Sequence, residues 1–343
     1  MRAVSSRAVG PTFLAAVLVA LAAGAPAGAQ SASAPAQPTP GPAGPVVVAT
    51  HDAQSNADFL LYVEGNTRIP ATGGPGAGGY GLLETLPDGT MLVAFSRSGF
   101  GEVDSVSPTL QTRTLRTFPL SSIGFVAPSS DGFVFYSQTA QYVQRYDAQG
   151  RAEGGPMAAL GATSALGLGS ATVALSKYRV TLYDRNGRMQ HAVAMQTGLI
   201  AALPGDRFAV TDVQNSLVRI YDTQMHQLAY FSFPGRTLIA LVAGPHGSLG
   251  VLHGTLQCVG PGAELDVFDD PLAGKLGARI YGIQGPHAAL ALTADTVYVA
   301  NSGCTNGDGF VSVYARDGSP RATLRNVGSP SGILAIPRAL TPR

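Results

Sequence analysis

Residues 207–222 read RFAVTDVQNSLVRIYD, and this stretch predicts two antiparallel β-strands joined by a short connector. Residues 208–211 and 217–221 alternate apolar and polar side chains, which is the pattern of strands with one buried face. Residues 212–216 between them are polar and about as many as a hairpin loop holds. The unit is therefore a β-hairpin, and weaker copies of it occur on both sides along the chain.

The copies share a marker, an aromatic residue that ends an apolar strand and is followed by Asp and a turn. The marker occurs at Tyr146, Tyr183, Tyr221 and Phe268, and with Ala in place of Asp at Tyr314, at intervals of 37, 38, 47 and 46 residues. Asp early in a tight turn accepts hydrogen bonds from its own backbone. These aspartates are therefore predicted to form turns rather than to catalyse a reaction.

A second marker is a short apolar strand with small residues. It occurs at 80–89, 123–128, 199–205, 286–292 and 330–337. Small residues suit a strand crowded near a central axis, where neighbouring units converge. The last copy begins a unit without outer strands, whereas residues 46–49 and 59–63 look like outer strands without an inner one. The two ends of the chain are expected to complete one sheet together, which would remove a free sheet edge.

These repeats, above all residues 208–222 and 297–302, resemble those of the NHL-repeat and related exported bacterial β-propellers. The resemblance extends over roughly residues 46–340 and implies an all-β fold of four-stranded blades around a channel. It predicts a seven-bladed β-propeller closed by a composite blade, and a six-bladed propeller is the alternative. The predicted blades are 78–119, 120–160, 161–198, 199–235, 236–285 and 286–328, with 329–343 and 46–77 forming the composite one.

The N-terminal segment has the features of an export signal. Arg2 and Arg7 are its only charges, residues 13–23 are apolar, and small residues end it at Ala29. The apolar run is shorter than the roughly 20 residues that a membrane span needs. We expect cleavage after Ala29, a periplasmic or secreted mature chain without a membrane span, and a disordered Pro/Ala-rich linker over residues 30–45.

Composition favours many short strands and tight turns. Charged residues are 13% of the chain, about half the usual share of roughly 25%, and there are 43 glycines and no tryptophan. The formal net charge is only +1, and no run of basic residues occurs. A nucleic-acid partner or an anionic lipid surface is therefore not expected.

The fifth and sixth repeats are longer, each by an insertion between its second and third strands. One insertion, 254–262, contains Cys258, and the other, 302–309, contains Cys304. Equivalent loops of adjacent blades are neighbours, so we predict a disulfide between these cysteines in an oxidising compartment. A reduced pair or a shared metal is the alternative, but two thiols without nearby histidines fall short of a four-ligand zinc site.

In the resembled families, the loops between second and third strands share a face with the loops between blades, and that face commonly carries the ligand. The residues expected there are Arg97, Asp104, Gln138, Lys177, Arg179, Asp212, Asn215, His253, Asn301, Asn306 and Asp308. Mixed polar groups around a channel mouth could bind a small molecule or a peptide. The alternative for any one of them is a solvated turn residue.

The motifs of common catalytic sites do not occur in this sequence. It has no Gly-x-Ser-x-Gly elbow and no His-x-x-x-His pair. A resemblance to gluconolactonase-type propellers would imply a divalent cation in the channel, with Glu84, Asp212 and Asn301 as oxygen ligands for Ca²⁺, Mg²⁺ or Mn²⁺. The chain departs from that pattern because the family's Asn before an inner strand is missing at 286–287 and 329–330.

The sequence therefore predicts an exported, monomeric, non-catalytic propeller that needs no cofactor. It is expected to bind a small ligand or a protein partner through one face. The alternative is a metal-dependent hydrolase or lactonase that uses the three oxygen ligands named above.

Overall fold

The structure is a computed structural model, and it describes residues 44–336 apart from short gaps. The gaps are residues 53–56, 65–66, 75–77, 87–89, 98–99, 108, 120–122, 259–261, 286–287 and 305–308. The predicted signal peptide and residues 30–43 of the predicted linker lie outside the described residues. Within the described part, the regular structure consists of β-strands and one 3-10 turn at Pro245–Gly247.

The strands are numbered in chain order and fall into consecutive groups. The first group holds β1 (Val46–Asp52), β2 (Ala57–Glu64) and β3 (Thr67–Gly74). Blade 1 consists of β4 (Gly78–Thr85), β5 (Met91–Arg97), β6 (Phe100–Val106) and β7 (Thr112–Pro119). Blade 2 consists of β8 (Ile123–Ser129), β9 (Gly132–Ser137), β10 (Tyr142–Asp147) and β11 (Ala152–Ala158). Blade 3 consists of β12 (Ala162–Gly167), β13 (Ala171–Ser176), β14 (Arg179–Asp184) and β15 (Met189–Ala194).

The second half of the chain repeats this pattern. Blade 4 consists of β16 (Thr197–Leu203), β17 (Arg207–Asp212), β18 (Leu217–Tyr221) and β19 (Gln227–Ser232). Blade 5 consists of β20 (Leu238–Ala243), β21 (Leu249–His253), β22 (Ala263–Asp270) and β23 (Lys275–Ile283). Blade 6 consists of β24 (Ala288–Leu292), β25 (Thr296–Asn301), β26 (Phe310–Ala315) and β27 (Pro320–Leu324), and the last strand is β28 (Ser329–Ala335).

The first strands of the blades form a closed ring. Each of β4, β8, β12, β16, β20 and β24 contacts the next one, and β28 contacts both β24 and β4. Within each blade the strands pair in order and antiparallel, so the four-stranded sheets radiate from this ring. The ring has seven members, which confirms the seven-bladed β-propeller and excludes the six-bladed alternative.

Blade 7 is built from both ends of the folded chain, as predicted. Its order is β28-β1-β2-β3, and β28 pairs antiparallel with β1 so that Val46 lies opposite Ala335. The amide of Ile336 donates a hydrogen bond to the carbonyl of Pro45 at 3.0 Å, directly beyond that pair. Closure of the ring thus leaves no open blade edge between the first and last strands.

The core lies between neighbouring blades. In β17, Phe208 and Val210 pack towards blade 3, in one cluster with Leu182. Ala209 between them belongs to a second cluster with Val251 of blade 5. The sequence predicted one buried face for this strand, whereas both faces are buried, because each blade is sandwiched between two others. Outer strands differ: β15 is largely exposed.

Antiparallel pairing gives the propeller two distinct faces. The turns between first and second strands and between third and fourth strands lie at one end of each sheet, here called the lower face. The turns between second and third strands lie at the other end with the connections between blades, here called the upper face. The first strands of blades 2 and 3 bridge in parallel through Ser129 and Gly167, so their turns point the same way.

Aspartates of the repeat marker form turns on the lower face, as predicted. Oδ1 of Asp147 accepts hydrogen bonds from the amides of Gln149 and Arg151, both at 2.9 Å. Asp184 and Asp222 accept the equivalent pairs of amide bonds. Burial would raise the pKa of Asp147, but the bonds from Arg151 and Gln149 outweigh it and lower that pKa.

A buried arginine joins blades 2 and 3 near the lower face. Arg145 is 1% exposed, and its Nη1 donates to the carbonyls of Leu168 and Ala171 at 2.6 and 3.1 Å. Its Nη2 donates to Oδ1 of Asp131 at 2.8 Å. Since a buried charge is tolerated only with such partners, Arg145 ties the two blades together.

Candidate functional site

A disulfide crosses the upper face between blades 5 and 6. Cys258 lies in the loop between β21 and β22, and Cys304 lies in the loop between β25 and β26. The two residues form a disulfide with their Cα atoms 5.5 Å apart, which confirms the predicted pairing. Such a bond is typical of proteins that fold outside the reducing cytoplasm.

The upper face exposes some of the expected site residues. Gln138, Lys177, Arg179 and Asn215 are exposed, and all lie in or beside turns between second and third strands of blades 2 to 4. The Lys177 ammonium lies 5.2 Å from the ring centroid of Tyr178. Gln138, Lys177 and Arg179 come from two adjacent blades, so the structure brings these three to one region of the face.

Other expected residues are buried at the ends of second strands. Asp212, His253 and Asn301 are the last residues of β17, β21 and β25, and each is at most 4% exposed. They occupy equivalent positions in blades 4, 5 and 6. Because the preceding strand is packed on both sides, its last side chain is held against the blade rather than offered to solvent.

The location expected for Asp104 is wrong. The sequence predicts Asp104 in the same upper-face loop as Arg97, but Asp104 lies inside β6, paired with Val93 and Thr114, and is 2% exposed. The physical reason is that Arg97 already pairs with Phe100, so that the connection is only two residues long. The side chains of Arg97 and Glu84, and all of Asn306 and Asp308, lie outside the described residues.

The carboxylate of Asp212 is occupied by its own blade. Its Oδ2 accepts hydrogen bonds from Asn215 Nδ2 at 2.9 Å and from Arg219 Nη2 and Nε at 2.9 and 3.1 Å. Burial would raise the pKa of Asp212, but the bonds from Asn215 and Arg219 outweigh it, and the pKa is lowered. A carboxylate whose charge is balanced by a guanidinium does not fit a cation site.

The three residues of the metal alternative belong to three different blades. Glu84 lies on β4 of blade 1, Asp212 on blade 4 and Asn301 on blade 6, and no two of these blades are neighbours in the ring. The amide nitrogen Nδ2 of Asn301 donates to the carbonyl of Val299 at 3.0 Å. Among the described residues, no group of three or more His, Cys, Asp or Glu side chains could hold a metal ion.

In blade 5, the buried Asp266 carboxylate pairs with the partly exposed Arg279 and lies near the buried His253 ring, a network that the sequence does not predict. Arg279 donates to both carboxylate oxygens of Asp266, at 2.5 and 2.8 Å, and His253 Nε2 lies 3.6 Å from Asp266 Oδ2. The His253 ring packs on Phe233 with the ring centroids 4.6 Å apart. Burial would raise the pKa of Asp266, but the nearby His253 ring and the hydrogen bonds from Arg279 outweigh it, and the pKa is lowered. The cross-strand pairing of Asp266 with Arg279 sets this contact, and a single sequence does not reveal that register.

A groove of about 630 Å³ lies between blades 2 and 3, and its lining includes Ala140, Gln141 and Arg179 at their upper-face turns. Small residues account for much of its lining: Ala140, Ala158, Ala159, Ala162, Ala174 and Gly187. Blades diverge with distance from the axis, so the outer space between them must be filled by large side chains or stay open. These alanines are too small to fill it.

The groove has an ordered floor and an exposed rim. On the floor, the Tyr183 hydroxyl donates to the carbonyl of Ala158, and Gln141 Oε1 accepts from the amide of Gly161 at 2.8 Å. On the rim, Leu160 is 82% exposed and Met189 is 57% exposed. The sequence predicts Arg179 as a site residue but does not predict the groove, for which the alanine-rich segments of both blades are the signal.

Comparison with solved structures shows the fold alone. The chain is similar to apo AztD from Citrobacter koseri, with a TM-score of 0.54 and 10% identity over 85% of this chain and 97% of that one. It is similar to Hsv2p from Kluyveromyces lactis, with a TM-score of 0.55 and 10% identity over 82% and 99%. It is also similar to TolB from Acinetobacter baumannii, with a TM-score of 0.54 and 11% identity over 86% of this chain and 67% of that one.

The first two of these proteins are seven-bladed propellers, in agreement with the blade count of this chain. No family model matches the sequence, and no curated protein matches it. Membership of the NHL-repeat group therefore stays a prediction. Across the described residues, no helix is long and apolar enough to span a membrane.

Proposed function

We propose that the protein is an exported, NHL-repeat-like β-propeller that binds a protein partner or a small ligand through its upper face, without catalysing a reaction. The observation that carries this proposal is the groove between blades 2 and 3, whose lining includes Ala140, Gln141 and Arg179 at the upper-face turns of these blades. A concave site with an apolar lining and a few polar groups is the usual form of a binding site. Arg179 on the groove, with Lys177 in the adjacent turn, supplies the polar groups here.

Export is part of the proposal. Residues 1–29 would act as a signal peptide cleaved after Ala29, and residues 30–45 would tether the propeller in the periplasm or outside the cell. The disulfide between Cys258 and Cys304 supports this location, because such bonds persist in oxidising compartments. Sequencing the N-terminus of the protein recovered from the periplasm or medium tests it, with Gln30 as the expected first residue.

The binding face can be tested with a photo-crosslinking residue in living cells. We would place p-benzoylphenylalanine at Gln138, Tyr178 or Val213, which are exposed upper-face turn positions of blades 2, 3 and 4. The matched positions are Gln149, Ser170 and Gln224, which are exposed lower-face turn residues of the same three blades and lie outside the groove lining. We expect discrete adducts from the upper set only. Equal adducts from both sets, or adducts from the lower set alone, would contradict the proposed face.

A further inference from the structure

We infer that the groove between blades 2 and 3 takes an extended acidic peptide segment of a partner protein, with its apolar side chains against the alanine lining and its carboxylates at Arg179 and Lys177. The inference rests on the proposed function and names the chemistry of the partner. Three independent features of the groove carry it: its length, its apolar surface and its charge.

The length of the groove matches an extended chain. Its lining runs from Ala140, in an upper-face turn, to Gly187, in the lower-face turn after β14. It therefore follows the whole of β14, whose six residues span about 20 Å at the rise of a β-strand. A peptide of about six extended residues has this length, and a compact small molecule does not.

Exposed apolar side chains border this length. Leu160 and Met189 lie on the groove, and Tyr178 in the adjacent turn is 62% exposed. The floor between them is formed by buried Ala159 and Leu175. Exposed apolar surface beside a concave floor marks an interaction site more often than scattered single residues do. A partner's apolar side chains would cover this surface.

The charge of blade 3 selects the partner. Residues 162–194 contain four basic residues and one acidic residue, a local excess of three positive charges in a chain whose net charge is +1. The acidic residue, Asp184, is engaged in its own turn through the amides of Asn186 and Arg188. The described lining of the groove has a basic residue, Arg179, and no acidic side chain. Acidic groups are therefore favoured there, and basic groups are repelled.

The probe is a fluorescein-labelled heptapeptide of alternating leucine and glutamate, titrated with the mature protein at low salt and followed by fluorescence anisotropy. In one control peptide lysine replaces every glutamate, and in the other serine replaces every leucine. We expect the leucine–glutamate peptide to bind about tenfold more tightly than either control, because each control lacks one of the two complementary features. No binding of this peptide at millimolar concentration, or equal binding of all three, would overturn the inference.

Matched variants locate the peptide. Arg179→Glu should weaken binding about tenfold, whereas Lys275→Glu, the same charge change at the exposed start of β23 in blade 5, should leave it unchanged. Ala158→Trp should fill the groove and abolish binding, whereas Ala194→Trp, at the end of the equivalent outer strand of blade 3, should not. Thermal unfolding of each variant shows that the fold is kept. Equal binding by Ala158→Trp and the wild type would overturn the location.

Binding of the protein to phosphatidylglycerol vesicles is the remaining measurement. Vesicle binding that requires Arg179, without peptide binding, would assign the charge to a membrane surface and overturn the inference. Failure of the peptide inference can be distinguished from failure of the proposed upper-face binding function. Crosslinks from Val213 or Gln138 with no peptide binding would leave the upper face as the binding face and remove only the peptide.

Discussion

Cys258 and Cys304 are 46 residues apart in the chain, yet their Cα atoms lie 5.5 Å apart and a disulfide joins them. The distance in sequence is one blade, so the bond links equivalent loops of blades 5 and 6. Both loops are the long insertions of their repeats. The bond therefore fixes the longest loops of the upper face to each other, beside the ring position where the composite blade closes the propeller.

Removal of this disulfide should destabilise the protein without unfolding it. A bond that closes a loop of this length restricts the unfolded chain and contributes about 2–4 kcal/mol. We expect Cys258→Ser together with Cys304→Ser to lower the free energy of unfolding by this amount in urea titrations. Reduction of the wild type should reproduce the loss. Two freely alkylated thiols in the untreated exported protein would contradict the account.

Loss of Arg145 should destabilise the protein more than loss of any exposed arginine. Arg145→Met leaves the carbonyl of the buried Leu168 without its donor, whereas the Ala171 carbonyl keeps the Leu168 amide and Asp131 keeps Arg185, so we expect a cost of about 1–3 kcal/mol. Arg151→Met is the matched control, because Arg151 is 76% exposed and its pair with Asp147 contributes less than about 1 kcal/mol. Urea unfolding of both variants measures the difference. Equal losses would mean that Arg145 does not join the blades.

The Asp266 network predicts a pH dependence of stability. The pKa of Asp266 lies below its usual value of 3.8, so the folded state binds a proton there less readily than the unfolded state. The contribution of ionised Asp266 to the free energy of unfolding is present above about pH 4 and is lost as the pH falls through the lowered pKa. At pH 6 we expect Asp266→Asn to lower the free energy of unfolding by about 1.5–3 kcal/mol, the contribution of a hydrogen bond to a charged group.

That cost should shrink as the pH falls towards 2. Arg279 and His253 are the groups that face the carboxylate, and Arg279 stays charged throughout this range. Unfolding titrations of the wild type and Asp266→Asn at several pH values provide the measurement. A pH-independent difference between the two proteins would show that ionised Asp266 does not stabilise the blade.

The bonds at Asp212 predict that metal ions have no effect on stability. A divalent ion bound only by the folded state would raise stability by ~2.7 kcal/mol at a hundredfold excess over its dissociation constant. We expect no change in Tm with EDTA or with excess Ca²⁺, Mg²⁺ or Mn²⁺, because Arg219 balances the carboxylate charge. Asp212→Asn should weaken the turn at Asn215 instead. A stoichiometric ion that is lost in Asp212→Asn would favour the hydrolase alternative.

Most of the fold could be predicted from the sequence because the sequence motifs that mark each blade recur at regular intervals. The aromatic–Asp marker at Tyr146, Tyr183 and Tyr221 set the repeat, and the unfinished unit at 330–337 predicted the composite blade. The pairing of Cys258 with Cys304 followed from the same period. Each of these inferences depends only on spacing along the chain, which the sequence displays directly.

Less of the candidate site could be predicted from the sequence, because the site depends on which side chains are buried and on the register of paired strands. Asp104 and His253 carry polar side chains that suggest a surface, yet both are buried, since a blade packs on both sides. The pairing of Asp266 with Arg279 needs the register of two strands joined by a turn. The groove exists because the alanines between blades 2 and 3 are too small to fill the space between the blades. Alanines carry no reactive or charged group, so the sequence does not mark them as part of a site.

The most direct measurement is a comparison of crosslinking from the two ends of blade 3. We would place p-benzoylphenylalanine at Tyr178 on the upper face in one strain and at Ser170 on the lower face in another, and irradiate both in living cells. Both positions are exposed turn residues of the same sheet, and Ser170 lies outside the groove lining. The account predicts a discrete adduct from position 178 and none from position 170. An adduct from position 170 alone, or equal adducts from both positions, would contradict it.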